Sequence, residues 1–208
     1  MASIFSLYDR ISTVSVEELR NDLLLLPAWR REKALSFRHF ADQVQSVKAY
    51  LLLMRMLRQQ YDISGMLQFS YGPYGKPFLL DYPDIHFSLS HCRKAVLCVV
   101  GDEPVGGDVE EIPEALDQDV LNLCFDENEQ SHILLSPKPC VRFAEEWTRK
   151  EALLKMVGCG LVDDLPGVMR SSWASHAGID TFACTEKGYA YSICKTKENL
   201  QMSDACSI

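Results

Sequence analysis

The order of local patterns along the chain constrains its fold more than any other feature. Helical patterns come first and strand patterns follow, and this order occurs twice. Helices are predicted at about 16–26, 30–40, 41–61, 114–123, 126–135 and 139–157. The second set ends in "TFACTEKGYAYSICK", which predicts a β-hairpin that turns at Gly188. We therefore predict an α+β protein with two pseudo-symmetric halves, each with helices packed on a small antiparallel sheet.

The strand patterns in the middle of the chain predict where the two halves meet. "IHFSLSH" alternates, "AVLCVV" is a continuous apolar run, and "PVGGDVE" follows after a turn, so we expect three adjacent strands in an antiparallel meander. The crossover falls near 102–112, which predicts an N-terminal half at 1–104 and a C-terminal half at 105–208. Because clefts between domains are favoured ligand sites, we expect a ligand site at this interface.

The charge of the chain is unevenly distributed. The 208 residues carry a net charge of −8, which argues against a nucleic-acid binder. Residues 1–100 hold 12 Lys and Arg against 9 Asp and Glu, whereas residues 101–208 hold 9 against 20. The cations of the first half cluster in "WRREKALSFRHF". This cluster could contact phosphates or an acidic partner, and a solvated helix face is an equally good interpretation.

Cysteine spacing and hydropathy place the protein in a reducing, aqueous compartment. The chain has eight cysteines but no C-x-x-C pair, so we expect reduced and mostly buried thiols. The most apolar segment, "AYLLLMRML", is too short and too charged to span a bilayer. The N-terminus lacks a basic region followed by a long apolar run, so no signal peptide is expected. These features predict a cytoplasmic protein without membrane contact.

The segment "VGGDVEEI" places two carboxylates, Asp108 and Glu110, two positions apart. In an extended strand, side chains at i and i+2 point to the same face. Two neighbouring carboxylates repel each other unless a cation or a proton lies between them. The segment is therefore either half of a metal site or the polar face of an exposed strand, and taken alone it favours the polar face.

A second segment, "FAEEWTRKEALLKMVGCG", supplies a further acid. As a helix it aligns Phe143, Trp147, Glu151 and Lys155 at successive i+4 positions. If Glu151 faces the cleft, it could complete a cage of three carboxylates with the two acids of the strand, which is the type of oxygen site that Mg²⁺ prefers. The alternative is an exposed Glu–Lys pair worth a few tenths of a kcal/mol.

Four motifs occur in a fixed order: "GKP" at 75–77, "FSLSH" at 87–91, "GGDVE" at 106–110 and "WTRKEALLK" at 147–155. This series resembles the 4′-phosphopantetheinyl transferase superfamily, in its longer, monomeric, surfactin-type branch. The resemblance covers about residues 15–195. It implies an enzyme that transfers the 4′-phosphopantetheine arm of coenzyme A to a serine of an apo carrier protein and releases 3′,5′-adenosine bisphosphate.

The resemblance also implies which residues carry out the chemistry. Asp108, Glu110 and Glu151 would bind Mg²⁺. Glu151 would also act as the general base on the carrier serine, directly or through a water. Lys155, one turn later, would contact a phosphate oxygen. Glu129 in "FDENEQ" is a second carboxylate at a matching place, either as a ligand or as the base.

The coenzyme contacts implied by the resemblance are distributed over both halves. Ser90 and His91 would contact the phosphates, Lys76 and Pro77 the adenosine 3′-phosphate and ring, and Lys155 a phosphate. The full set of implied coenzyme contacts is Lys33, Arg38, Ser46, Lys76, Pro77, Ser90, His91 and Lys155.

Two departures from the family pattern affect this site. Gln45 stands where the family often has an arginine, with Ser46 left as a phosphate donor and Lys48 as a replacement cation. Gly107 replaces the usual β-branched residue before Asp108, which we expect to loosen the strand without removing a ligand.

The predicted partner is an apo acyl or peptidyl carrier protein, and coenzyme A is the co-substrate. Since two fused halves complete the site, we expect a monomer. Two alternatives remain at this point: a Mg²⁺-dependent phosphatase or phosphodiesterase that uses the same carboxylates, and a non-catalytic module that binds coenzyme A or a carrier protein.

Overall fold

The computed structural model describes residues 3–197. Its strands are β1 Ile4–Tyr8, β2 Phe69–Tyr71, β3 Pro77–Leu79, β4 His86–His91, β5 Val96–Gly101, β6 Val105–Glu111, β7 Ala177–Cys184 and β8 Tyr189–Thr196. Its α-helices are α1 Val16–Leu24, α2 Ala28–Leu35, α3 Phe40–Tyr61, α4 Gln118–Cys124, α5 Glu127–Leu134, α6 Pro139–Val157 and α7 Ser172–Ser175, with 3₁₀ turns at Ile11–Thr13 and Val168–Arg170.

Local chemistry sets the helix ends. The side chain of Ser15 accepts a hydrogen bond from the backbone N–H of Glu18 and so caps α1, as the sequence predicts. The helix α6 begins with Pro139, whose missing N–H is not needed in the first turn. It ends at Gly158, whose φ of 80° lies in the left-handed region that glycine adopts without strain.

The two three-stranded sheets repeat one topology. The first has the order β1–β5–β4, the second has the order β6–β8–β7, and all pairs are antiparallel. In each sheet the last strand in the chain is central and the first strand is an edge. The long helices α3 and α6 pack on the first and the second sheet, respectively. The predicted α+β fold class is confirmed, and the division of the chain into domains at 104/105 stays a prediction.

Strand pairing differs from the prediction in the middle of the chain. The strands β4 and β5 form the expected antiparallel pair, but β6 pairs with β8 and not with β5. The predicted three-stranded meander is therefore wrong at its third strand. Pairing between distant segments leaves no local signal, so a strand that follows β5 in sequence cannot be assigned to either sheet from its own pattern.

Within the described residues, the cysteines form no disulfide and the helices show no membrane span. The seven cysteines between residues 3 and 197 are free thiols, and four of them are buried. Cys206 lies outside the described residues. Within the described range, none of the helices combines the length and the apolar character that a membrane crossing requires.

The glycine pair of β6 lies where α6 and the first sheet both contact the strand. A Cβ at Gly106 would overlap the carbonyl oxygen of Ala152 and the backbone nitrogen of Met156 in α6. A Cβ at Gly107, on the opposite face, would lie 2.5 Å from Cγ2 of Val99 in β5. The pair thus allows α6 and β5 to approach the strand closely from its two sides, and this is a packing role rather than a loosening of the strand.

We expect alanine to be tolerated differently at the two glycines. Gly106→Ala forces a methyl group against the backbone of α6, and such overpacking typically costs about 1–3 kcal/mol of unfolding free energy. Gly107→Ala meets only side-chain atoms, so its smaller loss should be recovered by adding Val99→Ala. Urea unfolding of the three variants and the wild type measures both effects. An equal loss at both glycines, or no recovery by Val99→Ala, would contradict this account of the packing.

Candidate active site

Asp108 is the centre of the site and is only 1% exposed. The residue shares the α6-facing side of β6 with Gly106, because their positions differ by two. Its Oδ1 accepts hydrogen bonds from Ser90 Oγ at 2.7 Å and from Lys155 Nζ at 2.5 Å, and Lys155 also donates to Ser90 Oγ at 2.9 Å. The other oxygen, Oδ2, is buried and has no hydrogen-bond partner within the described part of the chain. Residues from both halves therefore meet at this carboxylate.

Two further carboxylates lie within electrostatic reach of Asp108. Burial, reinforced by the charge of Asp108, raises the pKa of Glu110 to about 7, although the nearby ammonium of Lys155 acts in the opposite direction. Burial and the charge of Asp108 also raise the pKa of Glu151 above its usual range. The charge of Asp108 thus disfavours the charged forms of Glu110 and Glu151, and a bound cation would relieve that repulsion.

The donor set suits a hard cation. Carboxylate oxygens are ligands that Mg²⁺ prefers, and the unpartnered Oδ2 of Asp108 is a buried acceptor that a cation would satisfy. Among residues 3–197, no three acidic, histidine or cysteine side chains are already gathered around one point as a closed cage. Mg²⁺ typically keeps several waters and is bound through one or two carboxylates plus substrate phosphates. Three acids within electrostatic reach of one another that do not form a cage are compatible with that coordination.

A cavity of about 320 Å³ is lined by Glu151 and by further residues of both halves. Its wall includes Glu151 and Lys155 from α6, together with Lys76, Pro77 and Ser88 from the first half. Binding pockets for small molecules and cofactors start at about this volume. The structure therefore brings the predicted motifs "GKP" and "WTRKEALLK" to one cavity.

Lys76 is a cation without a carboxylate partner in the described structure. Its Nζ donates to the backbone oxygens of Met156 at 2.8 Å and Val105 at 3.2 Å. Burial lowers the pKa of Lys76 to about 8, because its two partners are neutral carbonyls that offset little of the lost hydration. An ammonium in this setting is prepared to pair with an anionic ligand in the adjoining cavity.

Of the predicted basic contacts near α2, the structure brings a different residue toward the site. Lys33 and Arg38 are exposed and make no hydrogen bond or ion pair with the other described site residues. Arg30 instead donates from its guanidinium to the backbone oxygen of Ser46 at 2.8 Å. Burial lowers the pKa of His91, and the positive charge of Arg30 acts in the same direction. Arg30 belongs to the basic cluster seen in the sequence, but only the packing of α2 on α3 shows which cation of that cluster turns inward.

Glu129 is paired with a lysine that is completely buried. Its Oε2 accepts from Lys150 Nζ at 2.8 Å and from the backbone N–H of Asp126 at 2.9 Å, which caps α5. Lys150 also donates to the backbone oxygens of Cys124 and Leu165. Lys150 therefore ties α4, α5 and the segment after α6 to the helix that carries Glu151, and sequence reasoning did not identify this role.

The departure at Gln45 has a structural explanation. The buried side-chain amide of Gln45 donates to the backbone oxygen of Cys92 at 2.9 Å, so it anchors α3 beside the strand end that carries His91. Lys48 lies within 2.7 Å of carboxylate oxygens of both Glu18 and Asp22. Lys48 is thus already paired and is not the replacement cation that the sequence suggested.

Comparison with known proteins identifies the family of the chain. Residues 104–204 match the family model of the 4′-phosphopantetheinyl transferase superfamily, and this range includes Asp108, Glu110, Glu151 and Lys155.

Individual relatives extend the match along the chain. The chain is 30% identical over 151 residues to the 4′-phosphopantetheinyl transferase Sfp of Bacillus subtilis (strain 168), covering 71% of this chain and 67% of that protein. It is 35% identical over 139 residues to the transferase gsp of Aneurinibacillus migulanus, covering 63% and 56%, and 30% identical over 135 residues to psf-1 of Bacillus pumilus, covering 64% and 58%. The chain belongs to the 4′-phosphopantetheinyl transferase superfamily, whose members transfer phosphopantetheine from coenzyme A to carrier proteins.

Proposed function

We propose that this member of the family transfers the 4′-phosphopantetheine arm to a serine of an apo acyl or peptidyl carrier protein with Mg²⁺ held by Asp108, Glu110 and Glu151. The observation that carries the proposal is the buried Asp108 carboxylate. One of its oxygens is held by Lys155 and Ser90, and the other has no partner among the described residues. A cation at that oxygen would stand next to the cavity that Lys155 lines.

The reaction forms one bond and breaks another at the β-phosphate of coenzyme A. The serine oxygen of the carrier bonds to this phosphorus, and the bond to the 3′,5′-adenosine bisphosphate oxygen breaks. Bound Mg²⁺ would supply charge neutralisation at the pyrophosphate. Lys155 would donate to a phosphate oxygen, and its position beside Asp108 keeps its ammonium at the cavity wall.

Glu151 is the base that the geometry favours. Glu151 lines the cavity in which the coenzyme phosphates would lie, and a general base must be within reach of the serine proton there. Glu129 is the alternative implied by the sequence, but its Oε2 is engaged by the buried ammonium of Lys150. We therefore assign proton transfer to Glu151 and place Glu129 in support of α6.

The coenzyme contacts follow from the charges along the cleft. The ammonium of Lys76 has no carboxylate partner in the described structure. A phosphate of the coenzyme would give it an anionic partner. Pro77 lines the same cavity, and Ser90 and His91 end the strand beside it. Ser46, next to Arg30, would add contacts to the 3′-phosphate, with Lys33 and Arg38 at the exposed rim.

The docking of the carrier protein, the location of the enzyme and its oligomeric state are also part of the proposal. An acidic carrier protein would dock on the cationic first half, because the strongly acidic second half would repel it. A cytoplasmic location and a monomeric state are proposed with it, since two fused halves complete one site.

Replacing Glu151 tests the reaction and its base together. Wild-type protein incubated with coenzyme A, Mg²⁺ and apo acyl or peptidyl carrier should add one phosphopantetheine arm, as seen by intact-mass spectrometry. Glu151→Gln should lower the rate by at least about 100-fold, because it removes both a base and a metal ligand, and EDTA should abolish transfer. Glu146→Gln, on the same helix in contact with Arg142 and Arg149, is the matched control and should retain activity.

Either of two results would contradict the proposal. If no carrier gains mass with the wild-type protein, a coenzyme-binding module without turnover explains the site better. If Glu151→Gln retains full activity while Glu129→Gln loses it, the base has been assigned to the wrong carboxylate.

The low pKa of Lys76 predicts proton uptake when an anion binds. A phosphate stabilises the charged ammonium and raises its pKa above 8, so between about pH 8 and 9 binding should draw a proton from the buffer. Calorimetric titration with 3′,5′-adenosine bisphosphate, which lacks the coenzyme thiol, in buffers of different ionisation enthalpy measures this uptake. Lys76→Met should remove the buffer dependence, and the exposed Lys94→Met should not. A buffer-independent enthalpy in the wild type would show that Lys76 does not meet a phosphate.

A further inference from the structure

Three hydroxyl groups form a connected chain between α6 and the second sheet. Ser192 Oγ lies 2.8 Å from Thr148 Oγ1 and 2.9 Å from Thr181 Oγ1. Thr148 and Ser192 are both completely buried, so water does not compete for these bonds. Thr148 lies within the motif at 147–155, but none of the three residues is among the predicted metal or coenzyme contacts.

The direction of the hydrogen bonds follows from the number of protons. A hydroxyl has one proton to donate. Thr148 donates its proton to the backbone oxygen of Glu145 at 3.0 Å. Ser192 must therefore donate to Thr148, and Thr181 must donate to Ser192. The chain runs from β7 through β8 to α6 with each proton used once.

This chain lies in the same cross-strand row as the central carboxylate. Asp108 is the direct partner of Ser192, and Ser192 is the direct partner of Thr181, so the three side chains share the α6-facing side of the sheet. On the helix, Thr148 precedes Glu151 by three residues and Lys155 by seven, which places all three on one stripe. The hydroxyl chain thus joins the row that carries Asp108 to the stripe that carries Glu151 and Lys155.

We propose that Thr148, Ser192 and Thr181 are positioning residues that fix the rotation of α6 on the sheet and hold Glu151 and Lys155 against Asp108. The inference rests on the proposed function, because its purpose is the geometry of that site. The close contact of α6 with Gly106 sets how near the helix lies, but contacts of this kind are not directional. The hydroxyl bonds are directional, and a complete buried network specifies one arrangement.

Stability and activity should separate in a double variant. Thr148→Val alone leaves the buried Ser192 hydroxyl without its acceptor and should destabilise the fold. Thr148→Val with Ser192→Ala removes both fully buried partners and leaves only Thr181, which is half-buried and can bond to water, so stability should largely return. The rotation of α6 remains unspecified in the double variant, and a shift of about 1 Å at a reacting group can cost about 100-fold. We therefore expect kcat at least about tenfold below wild type, with the KM for coenzyme A changed less than about twofold.

The experiment combines urea unfolding, steady-state kinetics with an apo carrier, and Mn²⁺ binding to the protein with 3′,5′-adenosine bisphosphate, followed by electron paramagnetic resonance. Mn²⁺ affinity should fall together with kcat in the double variant. Thr148→Ser keeps the hydroxyl and should restore both quantities. Ile193→Val, on β8 but in the apolar cluster on the other face of the sheet, is the control that lowers stability without changing either.

The outcomes distinguish this inference from the proposed function. If the wild type transfers the arm and the double variant matches it in kcat and Mn²⁺ affinity, the positioning role is wrong and the proposed function stands. If the wild type transfers nothing but binds Mn²⁺, the proposed function fails, and an unchanged Mn²⁺ affinity in the double variant overturns the positioning role as well. A wild type that neither transfers nor binds Mn²⁺ overturns both.

Discussion

The burial of one carboxylate, Asp108, at the seam between the two sheets is the constraint on which the rest of the structure depends. A charge that is 1% exposed must be compensated by the protein or by a ligand. Compensation comes from the first half through Ser90 and from the second through Lys155. Folding one half against the other and assembling the site are therefore the same event. Loss of either donor would leave a buried charge poorly paired, which costs more than the pair itself contributes.

The close packing around β6 makes those short contacts possible. Gly106 lets the backbone of α6 lie against the strand, so that Lys155 reaches Asp108 at 2.5 Å. Gly107 accepts Val99 on the opposite side, and its own N–H donates to Ser88 Oγ at 3.0 Å. Side chains of β5 occupy the space beside Gly107 that a larger residue would need. Small residues are needed at these two positions because α6 and β5 contact the strand on its two faces.

Sequence patterns predicted the features whose signal is local. Periodicity and capping predicted α1 and α6, and the i, i+2 spacing predicted that Asp108 and Glu110 share a face. The pairing of β6 with β8 was missed, because strand register between distant segments leaves no trace in either strand alone. Arg30 and Lys150 were missed for the same reason, since their partners come from other helices and loops. The family motifs predicted that the three acids belong to one site, whereas the contacts that support them could be identified only from the folded structure.

Two incomplete pairings of opposite sign remain in the described structure: one at Asp108, which contacts the cavity residue Lys155, and one at Lys76, which lines the same cavity. Asp108 has a buried oxygen without a donor, and Lys76 has a buried ammonium without a carboxylate. Moving the two side chains together would not satisfy both, because Lys76 is fixed to backbone oxygens of β6 and α6. A ligand that carries phosphates together with a bound divalent cation meets both needs at once: the cation satisfies the acid and a phosphate satisfies the ammonium. Under the proposed function, magnesium and coenzyme A therefore each complete the part of the site that the other leaves open.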